Sequence, residues 1–293
     1  MHPDTLRSLD LAEPFSLAET AGPVAWTTGR SPRHRWDGGV LTWVGWEDDE
    51  VIWRRVRQDF SSRLVVWGTA PAAGDAQWSA TVLGSGVTLP KFADPVIASL
   101  ARRYPGLRPY CDGSIFAGIV TAIVGQSISV AAAAVTQAKL AALFANRVEV
   151  DGVPMAPLPS AAQLAMATPA LVRTSGVTTR RAEALVFAAQ ELWRGRLPDD
   201  DWARAHPHLA VKELLKLPLV GRWTAESVLL WGIGAPDAHP TGDVALLRAA
   251  RQVCTLPDLT LKDLDRLAEG WAPARGLAAR LLWTEFFGPA PVS

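Results

Sequence analysis

The rhythm of hydrophobic and polar positions changes near residue 92. Between residues 24 and 88 the apolar residues come in short β-branched and aromatic runs: VLTWVGW (40–46), VIWRRVRQ (51–58), RLVVWG (63–68) and WSATVLG (78–84). Turn-forming EDDE, DFSS and PAAGDAQ separate them. This texture predicts strands. VIWRRVRQ alternates most clearly, with Val51, Trp53 and Val56 sharing a face across a bulge. No connection is long enough for a crossover helix, so the sheet is expected to be antiparallel. From residue 92 the period lengthens. DPVIASLARRY reads as helix and PGLRPYCDGS as loop. Helices are then predicted at 114–124, 128–145, 160–165, 168–175, 179–194, 202–206, 209–216, 222–233, 243–253, 261–268 and 274–287, punctuated by Gly and Pro.

The expected architecture is α+β: an N-terminal antiparallel β-sheet domain over residues 1–105, then a larger all-α domain over residues 106–293. At 293 residues, two domains are the default. The stretch FAGIVTAIVGQSISVAAAAV (116–135) has the length of a membrane span. Thr121, Gln126, Ser127 and Ser129 interrupt it, so a buried helical hairpin is expected instead. MHPDTLRSLDLAEPF lacks a basic region followed by an apolar core, and no signal peptide is expected.

Composition narrows the chemistry. The formal net charge is zero, which counts against a strongly basic nucleic-acid binder but leaves room for a local basic face. Cys111 and Cys254 are too few and too far apart for an iron–sulfur cluster or a cysteine-type zinc site. Two plain thiols in a reducing compartment are expected.

Two places could carry function. In LPLVGRWTAESVLLWG (217–232), Pro218 stops one helix, Gly221 permits a tight reversal, and Arg222 and Trp223 open the next. The free amides and dipole at such a helix start can receive a phosphate without counting lysines. An ordinary helix–turn–helix corner of a bundle has the same pattern. Further on, Asp243 follows Pro240, Thr241 and Gly242 and opens another helix. That is a usual N-cap position, and the same position suits a permanent anion facing a forming cation.

The segment LPLVGRWTAESVLLWGIGAPDAHPTGDVALLRAAR resembles the helix–hairpin–helix plus Gly/Pro–Asp core of DNA glycosylases, most of all the 3-methyladenine DNA glycosylase II branch. That family carries L-P-G-[IV]-G-x-W-T-A a fixed stretch before its catalytic aspartate, and here 20 residues separate Trp223 from Asp243. IVTAIVGQSISVAAA (119–133) resembles the family's ILGQ-x-[VI]-S-V-A-A, and WAPARGLAARLLW (271–283) its W-x-P-x-R-S-x-A-x-x-x-L-W. VIWRRVRQ resembles the strand ending VRVRQ in the branch's extra β domain.

The resemblance implies a monofunctional hydrolase that removes alkylated purines from double-stranded DNA, after each base is turned out of the stack. It implies Asp243 as the catalytic carboxylate and Trp223, Trp271 and Ser227 as base-pocket positions, though core packing is the competing role for each tryptophan. DNA contacts are implied for Gln126, Ser127, Ile128, Ser129, Val220, Gly221, Arg222, Thr224 and Arg275. Bifunctional relatives place a lysine where Trp223 stands, so strand cleavage through a Schiff base is not expected. No cofactor is implied beyond a structural monovalent cation on the backbone carbonyls of Leu215, Leu217 and Val220. Leu219 stands where the hairpin's first glycine is usual, Ser127 at the wedge position, Ser227 for a pocket tyrosine and Gly276 for a serine. His239 is expected to face solvent, and Arg180 and Arg181 are weaker phosphate candidates. A monomer in the cytoplasm, without membrane contact, is expected. Competing functions are a glycosylase for hypoxanthine or an oxidised base, and a damage-binding protein without catalysis.

Overall fold

The computed structural model describes residues 5–12, 14–60 and 62–292. Ser61 of the DFSS turn, and residues 1–4 and 13 of the N-terminal stretch, lie outside them. Five antiparallel strands form the N-terminal sheet: β1 (Arg7–Asp10), β2 (His34–Asp37), β3 (Val40–Glu47), β4 (Glu50–Phe60) and β5 (Arg63–Gly68), in the order β1-β5-β4-β3-β2. The three central strands are those the apolar alternation predicts. The edge strands are four residues each, too short to leave a periodic signature.

WSATVLG does not join the sheet. It belongs to the helix Asp75–Val82, which buries Trp78 and Val82. These residues lie four apart, on one helical face. A short apolar run fits both periods, and packing against the sheet decides between them. Trp78 sits 5.8 Å from Trp43, ring centre to ring centre.

Strand β4 alternates out of phase with the expected face. Its register shift falls between Gln58 and Phe60, so Ile52, Arg54 and Val56 point inward instead of Val51 and Trp53. Arg54 is only 1% exposed. It is held by Asp75 Oδ1 at 3.0 Å and Glu47 Oε2 at 3.2 Å, as a charge in a core must be. Val51 and Trp53 instead pack beneath a second hairpin, β6 (Val148–Val150) and β7 (Val153–Met155). That hairpin lies in the part expected to be all-α and covers the sheet's other face.

The predicted helices from residue 114 onward are all present, within a few residues at their ends. The helix Pro95–Arg103 buries Ile97 and Leu100 in the helical core, ahead of the boundary expected at 105. Among the described residues, no single helix is long and apolar enough to cross a membrane. Ile115–Gly125 and Val130–Ala142 are bent by 120° to each other, which leaves Ser127, Ile128 and Ser129 exposed at the bend.

Ile115–Gly125 also packs on the chain that follows the 217–221 corner. There the helix Arg222–Ser227 runs on into a wider π turn, Val228–Gly232. Such turns concentrate at functional sites. Two glycines make the approach feasible: a Cβ on Gly118 would lie 2.7 Å from Gly232 Cα and 2.8 Å from Val228 O. Gly118→Ala is therefore expected to cost about 1–3 kcal/mol in urea denaturation. Gly125→Ala on the same helix, where a Cβ meets nothing within 4 Å, is expected to be neutral or slightly stabilising.

Candidate active site

A cavity of about 280 Å³ opens between the helical layers and the N-terminal domain. Trp223, Ser227 and Trp231, spaced four residues apart on one helix face, form one wall. Trp283 and Phe287 from the last helix, Arg275–Phe287, join them. Ala122, Gly125, Ile128 and Val130 come from the bent pair, and Arg33 and His34 from the sheet domain.

Asp243 lies at the edge of this cavity. Its Oδ1 accepts the Leu246 amide at 2.7 Å, capping the helix Val244–Val253. Its Oδ2 accepts the Trp223 indole N–H at 2.8 Å. The N-cap and the charged-site readings of Asp243 are thus compatible in one geometry. The preceding loop is held just as closely. Buried Glu226 accepts Thr241 Oγ1 at 3.2 Å and the Arg222 guanidinium at 2.5 Å. Asp265 accepts Gly242 N–H at 3.4 Å and pairs with His239 Nε2 at 2.9 Å. His239 is therefore buried, not solvent-facing: the loop folds inward to reach Asp265.

The aromatic wall is layered. Trp231 and Trp283 lie 5.4 Å apart, centre to centre. Behind Trp231, the buried Arg280 guanidinium sits 4.4 Å from the ring centroid and donates to Leu230 O at 2.6 Å. Burial pulls its pKa down to about 10. On the sheet-domain side, Arg33 pairs with Asp112 at 2.6 Å, and Thr121 Oγ1 donates to the same carboxylate at 2.7 Å. His34 Nδ1 lies 3.0 Å from the Tyr110 hydroxyl. Burial, with the Arg33 charge beside it, holds the imidazole well below its usual pKa. Burial also raises the Tyr110 phenol, so both groups are neutral. The two cysteines are free, and burial pushes the Cys111 thiol up to about 11.

Several residues singled out from the sequence stand elsewhere. Trp271 is 1% exposed, packs in the helical core and donates its indole N–H to Asp94 Oδ2 at 3.2 Å. It does not line the cavity; Trp283, at the end of the same motif, does. The motif begins and ends in tryptophan, and only packing tells which one meets the open space. Gln126 is turned to the protein: its Nε2 donates to Leu219 O at 2.8 Å and Thr224 Oγ1 at 3.0 Å, and its carbonyl accepts Arg181 at 2.5 Å. Thr224 and Val220 are buried and present no side chain to DNA. Arg275 forks onto Asp237 at 2.9 and 2.7 Å. Burial disfavours the Asp237 charge, but the Arg275 fork outweighs it and lowers the carboxyl pKa. Arg275 is therefore a partner of Asp237, not a free cation for phosphate.

The rest sit at the surface of the site. Gly221, Arg222 and Leu219 are exposed at the hairpin. Leu219 adopts φ +62°, the left-handed conformation a glycine there would take, so the corner survives the substitution. Ser127 also has positive φ, +58°. Ile128 is 40% exposed, and Ser129 Oγ caps Val130–Ala142 by accepting Ala132 N–H. Gly276 has a packing reason: a Cβ would lie 2.8 Å from Ala238 O. Arg33 and His34 were not foreseen. They reach the site through folding alone, far from any motif.

A helical domain that carries a hairpin corner and is joined to an antiparallel β domain is the form the sequence resemblance implies; Asp243 stands beyond that hairpin, at the start of the helix Val244–Val253. No family model matches the chain. Over 202 residues, 68% of the chain and 68% of the relative, it is 33% identical to DNA-3-methyladenine glycosylase 2 of Escherichia coli. It is 32% identical to a probable bifunctional transcriptional activator/DNA repair enzyme AlkA of Mycobacterium tuberculosis, covering 67% of this chain and 38% of that one. Among solved structures, a 3-methyladenine DNA-glycosylase from Archaeoglobus fulgidus superposes with TM-score 0.80 at 21% identity, covering 96% of this chain and 99% of that one. The Clostridium acetobutylicum 8-oxoguanine glycosylase/lyase bound to double-stranded DNA gives 0.70 at 17% identity, covering 98% and 99%. The chain belongs to the DNA-3-methyladenine glycosylase II family, within the helix–hairpin–helix DNA glycosylases.

The buried imidazole sets a pH dependence. The unfolded chain takes up a proton on His34 near pH 6.5 and the folded chain does not. The folded state therefore binds fewer protons, and stability is full above that pH and falls below it, by up to about 1.4 kcal/mol per unit. Denaturant unfolding at pH 7.5, 6.5 and 5.5 is expected to show this fall in wild type and a shallower one in His34→Gln.

Proposed function

We propose that this protein is a monofunctional DNA glycosylase that hydrolyses the N-glycosidic bond of alkylated purines in duplex DNA, acting as a cytoplasmic monomer. The observation that carries the reading is the Asp243 carboxylate, clamped by Trp223 and Leu246 at the edge of a tryptophan-walled cavity. As the glycosidic bond breaks, positive charge develops on the sugar. A carboxylate whose orientation is already fixed stabilises that charge without reorganising, and can orient the attacking water. Methylated purines such as 3-methyladenine carry positive charge, and the faces of Trp223 and Trp283 offer cation–π contact.

The exposed rim supports a division of labour. Ile128, beside the short Ser127, is the apolar side chain placed to enter the space an extruded base leaves behind. Gly221 and Arg222 are the hairpin positions open to a phosphate. The donor set expected for a structural monovalent cation, the carbonyls of Leu215, Leu217 and Val220, is of the oxygen type that hard cations prefer. Leu217 O already accepts Val220 N–H at 3.2 Å, leaving its second lone pair for an ion. No lysine lines the cavity among the described residues, and Trp223 cannot form a Schiff base.

The direct test is release of methylated purines from alkylated genomic DNA. Asp243→Asn is expected to slow single-turnover release at least about a hundredfold. It should bind lesion-bearing duplex as tightly as wild type or more so, since asparagine also caps helices. If wild type releases no base, the catalytic reading fails and a damage-binding role takes its place. Borohydride added during turnover is expected to trap no covalent protein–DNA adduct; a trapped adduct would overturn the monofunctional assignment.

A further inference from the structure

A second cleft, of about 460 Å³, shares no lining residue with the tryptophan-walled cavity. It lies where the N-terminal stretch at Pro14 and the connection 88–92 meet the helix Pro95–Arg103. Its floor is apolar. Half-buried Leu89, Phe92 and Ala101 pack on the helical core and also line the cleft. Pro14, Pro90 and Pro105 line it too, and their fixed φ leaves the walls little freedom.

The cations of the cleft have no carboxylate partner. Lys91 and Arg102 are exposed and make no ion pair among the described residues, whereas Arg103, one position along the same helix, pairs with Glu285 at 2.8 Å. Arg108 is 3% exposed. Its guanidinium donates to three backbone carbonyls, Leu107 O at 2.7 Å, Pro105 O at 3.1 Å and Pro14 O. Carbonyls satisfy N–H groups but leave the charge uncancelled. Glu19 acts on it through space, yet that carboxylate accepts Gly106 N–H at 2.9 Å and does not line the cleft. Among the described residues, no acidic side chain does. In a chain of zero formal charge, three lining cations without a lining anion make a local positive field over an apolar floor.

We propose that this cleft is a docking site for an acidic peptide segment of a partner protein, whose apolar side chains cover Leu89, Phe92 and Ala101 while its carboxylates meet Lys91 and Arg102. Complementarity of both kinds favours a peptide. A DNA strand would match the charge, but its sugar–phosphate backbone would leave the apolar floor wet, and so would an inorganic anion. A segment mixing Asp or Glu with Leu or Phe covers the floor and meets the cations together. Arg108, beneath the surface, contributes through its field, and Lys91 and Arg102 make the contacts. These residues stand outside the Asp243 site, so the docking does not depend on the excision reading.

The probe is a short fluorescein-labelled peptide of Asp and Glu around a central Leu-Phe pair, followed by fluorescence anisotropy with the full chain. Binding with a Kd of about 1–100 μM is expected, weakening with added salt. Lys91→Ala with Arg102→Ala, both surface changes, is expected to weaken it at least about tenfold, as is replacing every acid of the peptide by its amide. Replacing Leu-Phe by Ser-Ser is expected to weaken it at least about fivefold. Affinity of the double variant for a lesion-bearing duplex should stay within about twofold of wild type; a tenfold fall would assign both cations to the DNA surface and overturn the proposal. No peptide binding up to about 1 mM, or equal binding by the double variant or the amide peptide, overturns it as well. Displacement by inorganic phosphate beyond the effect of equal ionic strength would mark a simple anion site, with the same consequence. So would a dimer of the free chain in sedimentation that the two substitutions dissolve, since the occupant would then be a second copy.

Discussion

The carboxylate of Asp243 is held by two N–H groups of different origin, an indole from the hairpin helix and a peptide amide from its own helix. That convergence is the constraint the remaining structure serves. The indole arrives only if the hairpin helix approaches Ile115–Gly125 closely, which Gly118 and Gly232 permit. The amide arrives only if the loop before Asp243 ends where it does. Glu226 and Asp265 fix that loop from two sides, and buried His239 closes it. A displacement in any of these would move the carboxylate, and on the proposed reading its value to a forming cation would fall off with distance.

The charge distribution makes sense of an apparent contradiction. A protein of zero formal charge is an unpromising partner for a polyanion, and several arginines near the site are already spent. Arg275 belongs to Asp237, Arg33 to Asp112, and Arg181 to the Gln126 carbonyl. These pairs tie the last helix to the loop at Asp237, the sheet domain to the segment before Ile115–Gly125, and the bend to the helix Thr179–Trp193. Their work is internal alignment. On the proposed reading, attraction for DNA would come from the hairpin backbone and from Arg222, which is 61% exposed although it pairs with Glu226, and attraction for the base from tryptophan faces. Arg280 refines the second point. Its guanidinium already occupies one face of Trp231, so that ring's quadrupole is engaged from behind, and Trp223 and Trp283 remain the better faces for a cationic base.

How far the sequence reveals this depends on the range of each interaction. The hairpin corner, the Trp223–Asp243 interval and the bend at 126–129 are local patterns, and all three are legible. So is almost every helix, because a 3.6-residue period over ten residues is hard to imitate. What failed did so where two solutions share one pattern. WSATVLG suits either period, and a motif bounded by Trp271 and Trp283 does not say which ring meets the cavity. In VIWRRVRQ the buried face is not legible, because an arginine occupies the core, and Asp75 and Glu47, which make that tolerable, lie outside the strand. Gln126, Thr224 and Arg275 have side chains suited to DNA; their partners Leu219, Gln126 and Asp237 are visible only once the chain is folded.

The rim of the cavity poses the remaining physical question. Ile128, Val130, Leu219 and Val244 are all large, apolar and 39–61% exposed, on three separate segments near the cleft. Scattered exposed apolar residues need no explanation, but a set on the segments that border a single opening does. Ser127 shows how the bend is built for it. Its left-handed backbone turns the chain sharply, and its short side chain leaves Ile128 as the bulky group there. A stacked duplex with one base removed is an apolar gap of matching character, and filling it would bury part of that surface. On the proposed reading, the cost of leaving the rim wet in the free protein would be recovered only on DNA whose stack has opened, which would favour a weakly paired or distorted lesion over normal sequence before the pocket examines the base at all.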